Sequence, residues 1–388
     1  GTPSSPDGGN ATTSTNALAQ RETRQYDPRS GQLIKLTGPN ALATTWTYDG
    51  FGRKTQETRA DTTRTTWQYK LCAPPSLPRD PACPASVGGA TVDWYVIESQ
   101  LSSTGALLAP SKLQFHDTLG RVVRVQTQGF DGGGSGPTVV QDTVYNPKGQ
   151  VTQKSIIYLL AGGDPKWTTY GYDPMGRVLT EAVPDGSSSA TTTFAYNGLV
   201  TSVLNANGQN QTKYKNAAGQ VAQVKDQHGN NIDYTYDALG QLIKTLATGN
   251  TTVLTYDQRG RKIRMEDPAM GVWDYAYNAF GELVWQQDSL GQATTLTYDA
   301  LGRLTKRTEP DLISEWRYDK KFDATACGKG IGKLCEAKSN NGYRRIHTYD
   351  SLGRPSSTAT ALDSTTVLAT VSQTYNASTG RLATQTWP

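Results

Sequence analysis

Three histidines, four cysteines and five Asp-Pro steps are the residues of this chain whose types could do chemistry. Acid–base or nucleophilic catalysis would need a histidine set against a nucleophile or a carboxylate, yet no His-Glu-x-x-His, Gly-x-Ser-x-Gly or dinucleotide fingerprint occurs. His116 follows an aromatic in Phe115-His-Asp117, His228 lies inside Asp226-Gln-His-Gly229, and His347 precedes Thr348-Tyr349. All three therefore occupy places in a recurring pattern. Gly328 to Lys333 has the glycines of a phosphate loop, but Leu334 stands where Ser or Thr would hold magnesium, and no helix signal follows. Asp27, Asp80, Asp164, Asp173 and Asp267 each precede proline, and none is paired with a second carboxylate at a defined spacing. The expectation is a chain that is not an enzyme and holds neither cofactor nor metal.

The cysteines form two local couples, Cys72 with Cys83 and Cys327 with Cys335, each inside a stretch that interrupts the surrounding pattern. Zinc prefers closer spacing and further ligands nearby, so it fits poorly. Disulfides that staple loop tips are expected, with free thiols as the alternative. Disulfides would point to an oxidising compartment.

The elements that carry these residues follow from composition and repeat. The 388 residues include 39 Gly, 19 Pro and 20 Tyr, and Thr is the commonest type. Such a mix favours pleated strands closed by frequent turns over long helices. Lys and Arg total 38 against 34 Asp and Glu, and the basic pairs Lys320-Lys321 and Arg344-Arg345 stand apart, so no nucleic-acid footprint is present. No stretch is long and apolar enough for a membrane helix. The opening residues lack the regions of a signal peptide, so any leader or anchor is expected outside this piece.

Tyr-Asp or Tyr-Asn followed by Gly recurs along the chain, and the tyrosines at 214, 236, 256, 277, 298 and 318 are 20 to 22 residues apart. The clearest copies are Tyr48-Asp49 with Gly52-Arg53, Tyr172-Asp173 with Gly176-Arg177, Tyr256-Asp257 with Gly260-Arg261, Tyr298-Asp299 with Gly302-Arg303, and Tyr349-Asp350 with Gly353-Arg354; Tyr236-Asp237 with Gly240 lacks the Arg. Asp-x-x-Gly reads as a type I turn with a glycine bulge, and Pro28, Pro147 and Pro174 take the second turn position that proline favours. A looser turn, such as Asp288-Ser-Leu-Gly291, falls between successive copies. Each period then holds two strands of about six residues, and the chain about 28 strands, side by side over on the order of 130 Å. A layer that wide must twist and curl. The predicted fold is all-β, with antiparallel hairpin repeats forming a curved β-ribbon, open spiral or partial hollow shell. Replacing Gly302 by Val should therefore harm folding far more than replacing Arg303 by Lys.

These motifs resemble the YD repeats of the RHS (rearrangement hot spot) family over about residues 20 to 388. Relatives include bacterial polymorphic toxins, shell components of insecticidal toxin complexes, wall-associated proteins and teneurins. The resemblance implies a β-ribbon that spirals into a hollow shell, often around a C-terminal toxin. It further implies a secreted or cell-surface bacterial protein whose partners are other segments of the same larger chain. Some relatives cleave themselves at an Asp-Pro-x-Gly signature. Asp173-Pro-Met-Gly176 has those letters, but it sits in an ordinary mid-chain repeat, and no protease role is carried over.

The organisation expected is a flexible segment over 1–20 and a ribbon over 21–388, with insertions at about 71–92, 129–137 and 323–336. Aromatic stripes such as Trp46 with Tyr48, or Trp273, Tyr275 and Tyr277, suit cross-strand packing. Stacking on sugars is their other use, which leaves a surface module for carbohydrate or a cell-surface protein as the alternative function.

Overall fold

A computed structural model describes residues 11–73, 78–129, 136–186, 188–363 and 369–388. Among them 33 strands form one antiparallel sheet that is not closed into a barrel. Most strands have five to eight residues. The chain divides into two compact units. One holds Gly1–Thr66, Gln100–Ala109 and Gly271–Pro388, the other Trp67–Ser99 and Pro110–Met270.

The hairpin Ala293–Tyr298 with Leu304–Thr308 shows why the repeat folds as it does. Thr295 faces Thr308 and Thr297 faces Lys306, and the register then shifts by one residue before Tyr298 meets Leu304. That bulge arises from the turn itself. The Asp299 amide bonds to the Arg303 carbonyl and the Gly302 amide to the Asp299 carbonyl, both at 3.0 Å, which brings Gly302 to a φ of +74°. Only glycine reaches that region without steric cost. The same shift precedes Tyr26, Tyr48, Tyr172, Tyr236, Tyr256, Tyr277, Tyr349 and Tyr375.

There are more strands than the period suggests, because the irregular stretches add short ones. Ser86–Val87 pairs with the start of Ala90–Leu101, and Tyr158–Leu159 with Thr138–Tyr145. Thr13–Thr15 pairs with Arg21–Tyr26, so pairing begins ahead of residue 21. Much of the 129–137 stretch, including Gly132 to Gly134, lies outside the described residues.

Most strand residues are only half-buried, as a single layer requires. Buried apolar side chains gather where the first insertion folds over the sheet, with Cys72, Cys83, Val87, Val92, Tyr95, Phe115 and Val123 packed together. Cys72 is bonded to Cys83, and in the other unit Cys327 to Cys335; all four are buried.

Candidate functional site

The residues that recur are engaged with one another along the ribbon. Within each turn the acidic side chain does three jobs. Asp299 Oδ1 accepts the amides of Leu301 and Arg303 at 2.9 and 3.1 Å, while Oδ2 takes the Arg303 Nε at 2.7 Å. Asp49 with Arg53, Asp117 with Arg121, Asp173 with Arg177, Asp257 with Arg261, and Asp350 with Arg354 repeat the arrangement. Where the first residue is Asn, the partner changes in step. Asn146 and Asn216 donate their amides to Gln150 and Gln220, and Asn278 to Glu282. The Asn–Gln pairs exchange a charged pair for a neutral one, and this is visible in the sequence once the first and fifth turn positions are compared, although Gly and Arg draw the eye first.

Each repeat is then tied to the next. The Tyr298 hydroxyl donates to the Leu283 carbonyl at 2.8 Å, the first strand residue after the preceding turn. Tyr48, Tyr172, Tyr236, Tyr256 and Tyr349 bond in the same way to Leu33, Val151, Val221, Leu242 and Leu334. Burial pushes the Tyr298 and Tyr349 hydroxyls above the ordinary phenol range. The fifth turn residue reaches forward to the following repeat. Arg177 lies over the Tyr196 ring at 4.3 Å, Arg303 over Tyr318 at 4.5 Å and Arg354 over Tyr375 at 4.1 Å. Where Gln replaces Arg, its amide donates to the glycine carbonyl of the next turn, as Gln32 does to Gly52 at 2.6 Å and Gln220 to Gly240 at 2.9 Å. Tyr298→Phe should lower stability by about 1 kcal/mol, the ordinary net worth of one such bond. Equilibrium urea unfolding of the two proteins checks it, and an unchanged midpoint would remove the hydroxyl ladder from the account.

The turn carboxylates make the ribbon acid-sensitive. Burial by itself would raise the Asp299 and Asp350 carboxyls, but the hydrogen bonds from Arg303 and Leu301, and from Arg354 and Leu352, outweigh it and hold both below their usual range. At Asp257 the Arg261 amide and guanidinium are the leading causes of the same depression. A folded value below the unfolded one contributes stability above the unfolded pKa, and that stability disappears as pH falls through the folded one. Melting temperature should thus stay level from neutral pH down to about 5 and fall below about 4. Thermal melts across that range test it; a level profile to pH 3 would contradict it.

The other residues that could do chemistry are spread along the sheet in structural settings. His116 stacks on Trp94 with centroids 3.8 Å apart, its Nδ1 3.0 Å from the Gly120 carbonyl. His228 is exposed beside Gln227. Burial, and then Arg345, pushes the His347 ring below its usual value, and its Nδ1 lies 3.2 Å from the Thr358 hydroxyl. Asp173 is taken up by the turn amides of Met175 and Arg177. The Gly328 to Lys333 loop leads into a strand, Leu334–Ser339, and Asp319 accepts its Gly332 amide at 2.6 Å. Among the described residues no three His, Cys, Asp or Glu side chains are grouped to hold a metal. No helix there is long and apolar enough to cross a membrane.

The aromatic stripes make contacts along and between neighbouring strands. The Trp46 indole donates to Glu57 at 3.0 Å with Lys54 over its ring, and Trp273 stacks on Tyr275. One polar cluster escapes any repeat pattern. Arg124 and Asp142, directly opposed on neighbouring strands, form a forked pair at 2.6 and 2.7 Å, and the Tyr158 hydroxyl donates to Asp142 at 2.7 Å.

Comparison with known proteins agrees with this geometry. Residues 26–64 match the RHS Repeat family model, and residues 191–324 the Teneurin YD-shell model. These are RHS repeats of the YD-shell kind. A relative from Burkholderia cenocepacia (strain H111), Double-stranded DNA deaminase toxin A, is 30% identical over 166 residues. That match takes in 42% of the YD-shell chain and 11% of the toxin. Among solved structures, TcdB2-TccC3 matches 96% of the chain at a TM-score of 0.62 and 13% identity. TcdB2-TccC3-Cdc42 matches 97% at 0.63 and 11% identity. At such identities the likeness is one of fold. The YD-shell chain spans 27% and 29% of those two structures.

Proposed function

We propose that this chain is a length of wall in a larger shell, a ribbon that encloses or displays an effector encoded elsewhere in a longer polypeptide, and that it performs no catalysis itself. The observation that carries the reading is the use of the repeated groups. Tyr, Asp, Arg and Gln side chains bond within their own turn and to the adjoining repeat, so that among the described residues the recurring groups serve to join one repeat to another. The toxin relative from Burkholderia and the fold of TcdB2-TccC3 support the same reading. Two buried disulfides suit an exported protein. The glycan-binding alternative gains no support from the aromatic stripes, whose Trp46 ring is already engaged by Glu57 and Lys54.

The test uses the complete open reading frame. With the shell folded, a protease should nick the loop tips and leave the downstream domain undigested, and unfolding the shell should expose it. Digestion of that domain at the same rate with and without the shell would end the enclosing role.

A further inference from the structure

The two disulfides sit in unlike surroundings. The Cys72–Cys83 bond belongs to the apolar cluster of Val87, Val92, Tyr95, Phe115 and Val123, and Arg79 straps the stretch around it by donating to the Pro84 and Val92 carbonyls at 2.6 and 2.9 Å. The Cys327–Cys335 bond is roofed by backbone instead. Its cysteines are eight positions apart, and the loop between them carries Gly328, Gly330 and Gly332. A Cβ at Gly330 would stand 2.1 Å from the Cys327 sulfur and 3.3 Å from the Tyr349 ring, so the loop backbone lies directly on the bond.

Polar ties hold this loop down. Asn40 clasps the backbone of Ile331 from both sides, donating to its carbonyl at 2.9 Å and accepting from its amide at 3.1 Å. Asp319 accepts the Gly332 amide at 2.6 Å, and the Lys333 ammonium donates to the Gly353 carbonyl while lying 4.8 Å from the Tyr349 ring centre. Gly328 and Gly332 are exposed, and Ile331 is only half-buried. The sulfurs themselves are covered, with Cys327 1% and Cys335 0% exposed, so a reagent reaches them when the loop lifts. A segment held by few buried apolar contacts opens more readily than one inside an apolar cluster, because water replaces its polar ties but not apolar packing.

We propose that the Cys327–Cys335 bond is a thiol–disulfide exchange site, reduced by a dithiol while the rest of the fold stays intact, and that its reduction loosens the loop's hold on Asn40. A thiolate of the dithiol attacks one sulfur of the bond and displaces the other, which gives a mixed disulfide. The second sulfur of the dithiol then attacks the first, closes a new disulfide within the reagent and frees the remaining cysteine. Two electrons pass to the protein, and the two protons of the dithiol end on Cys327 and Cys335. With the covalent closure gone, the loop keeps only its polar ties and opens more often. The Cys72–Cys83 bond, inside its cluster, stays oxidised. The inference rests on the bond and its loop and is independent of whatever a shell would enclose.

Reduced dithiothreitol is the probe. On the folded 388-residue protein, timed alkylation with iodoacetamide and peptide mapping should label Cys327 and Cys335 at least about tenfold faster than Cys72 and Cys83. Asn40→Ala should speed the labelling of Cys327 and Cys335 and leave that of Cys72 and Cys83 unchanged, because it removes two of the ties that hold the loop shut. Hydrogen exchange over residues 327–335 and 38–42 should rise on reduction. The double variant Cys327→Ser with Cys335→Ser should show the raised exchange without reductant and no further rise with it. Labelling of Cys72 and Cys83 first or at the same rate, protection of all four cysteines until the protein unfolds, an Asn40→Ala rate equal to that of the wild type, or selective reduction that leaves loop exchange unchanged would overturn the proposal.

Discussion

Gly328→Ala should destabilise the C-terminal repeats by more than about 3 kcal/mol, whereas Gly208→Ala, at nearly the same backbone angle, should cost only about 1 to 2 kcal/mol. Both glycines are left-handed, at φ +82° and +76°. They differ in the space around them. A Cβ at Gly208 would meet nothing within 4 Å, while at Gly328 it would lie 1.8 Å from the Tyr349 carbonyl oxygen, which is backbone and cannot swing aside. The Tyr349 amide is fixed in turn by the Cys327 carbonyl at 2.8 Å, so the stapled loop and the next strand would be forced apart. Urea unfolding with hydrogen exchange over residues 334–354 separates the two variants. Equal losses would show that backbone angle alone governs these turns.

Arg124→Ala is the second large effect expected, at about 3 to 5 kcal/mol, because it strands a buried carboxylate. The side chains of Arg124 and Asp142 are 14% and 5% exposed. The hydrogen bonds that Arg124 donates to Asp142 lead the causes that hold the guanidinium above its usual range. Tyr158 also donates to that carboxylate, and the Ser155 hydroxyl accepts the Asp142 amide, so the cluster ties four strands together. Replacing both partners, Arg124→Met with Asp142→Leu, should cost distinctly less than Arg124→Ala, since no charge is then left unpaired. Chemical denaturation of the single and double variants decides, and a double variant as unstable as the single would point to packing instead of charge.

The sequence ranked Gly302 well above Arg303, and there the structure changes the comparison. Arg303 grips Asp299 and also Asp319 in a second fork, and lies over the Tyr318 ring. Lysine has no fork with which to replace these contacts. Arg303→Lys is therefore no mild control for Gly302→Val, and the gap between them should narrow.

Local chemistry is what the sequence by itself determined. Asp, Asn and Gly at fixed places dictate the turns, alternation dictates the strands, and the period dictates a sheet of hairpins, because each depends on residues a few positions apart. The tie from Tyr298 to Leu283 lay within the same repeat logic, one period away. Tertiary structure alone decided which tips meet. Asn40 and Ile331 are 291 residues apart, and Arg124, Asp142 and Tyr158 come from an irregular stretch with no repeat to align them. Because the turns are nearly interchangeable in sequence, each could seat against many others. The geometry accumulated over the intervening strands selects the partner, and no local pattern carries that sum.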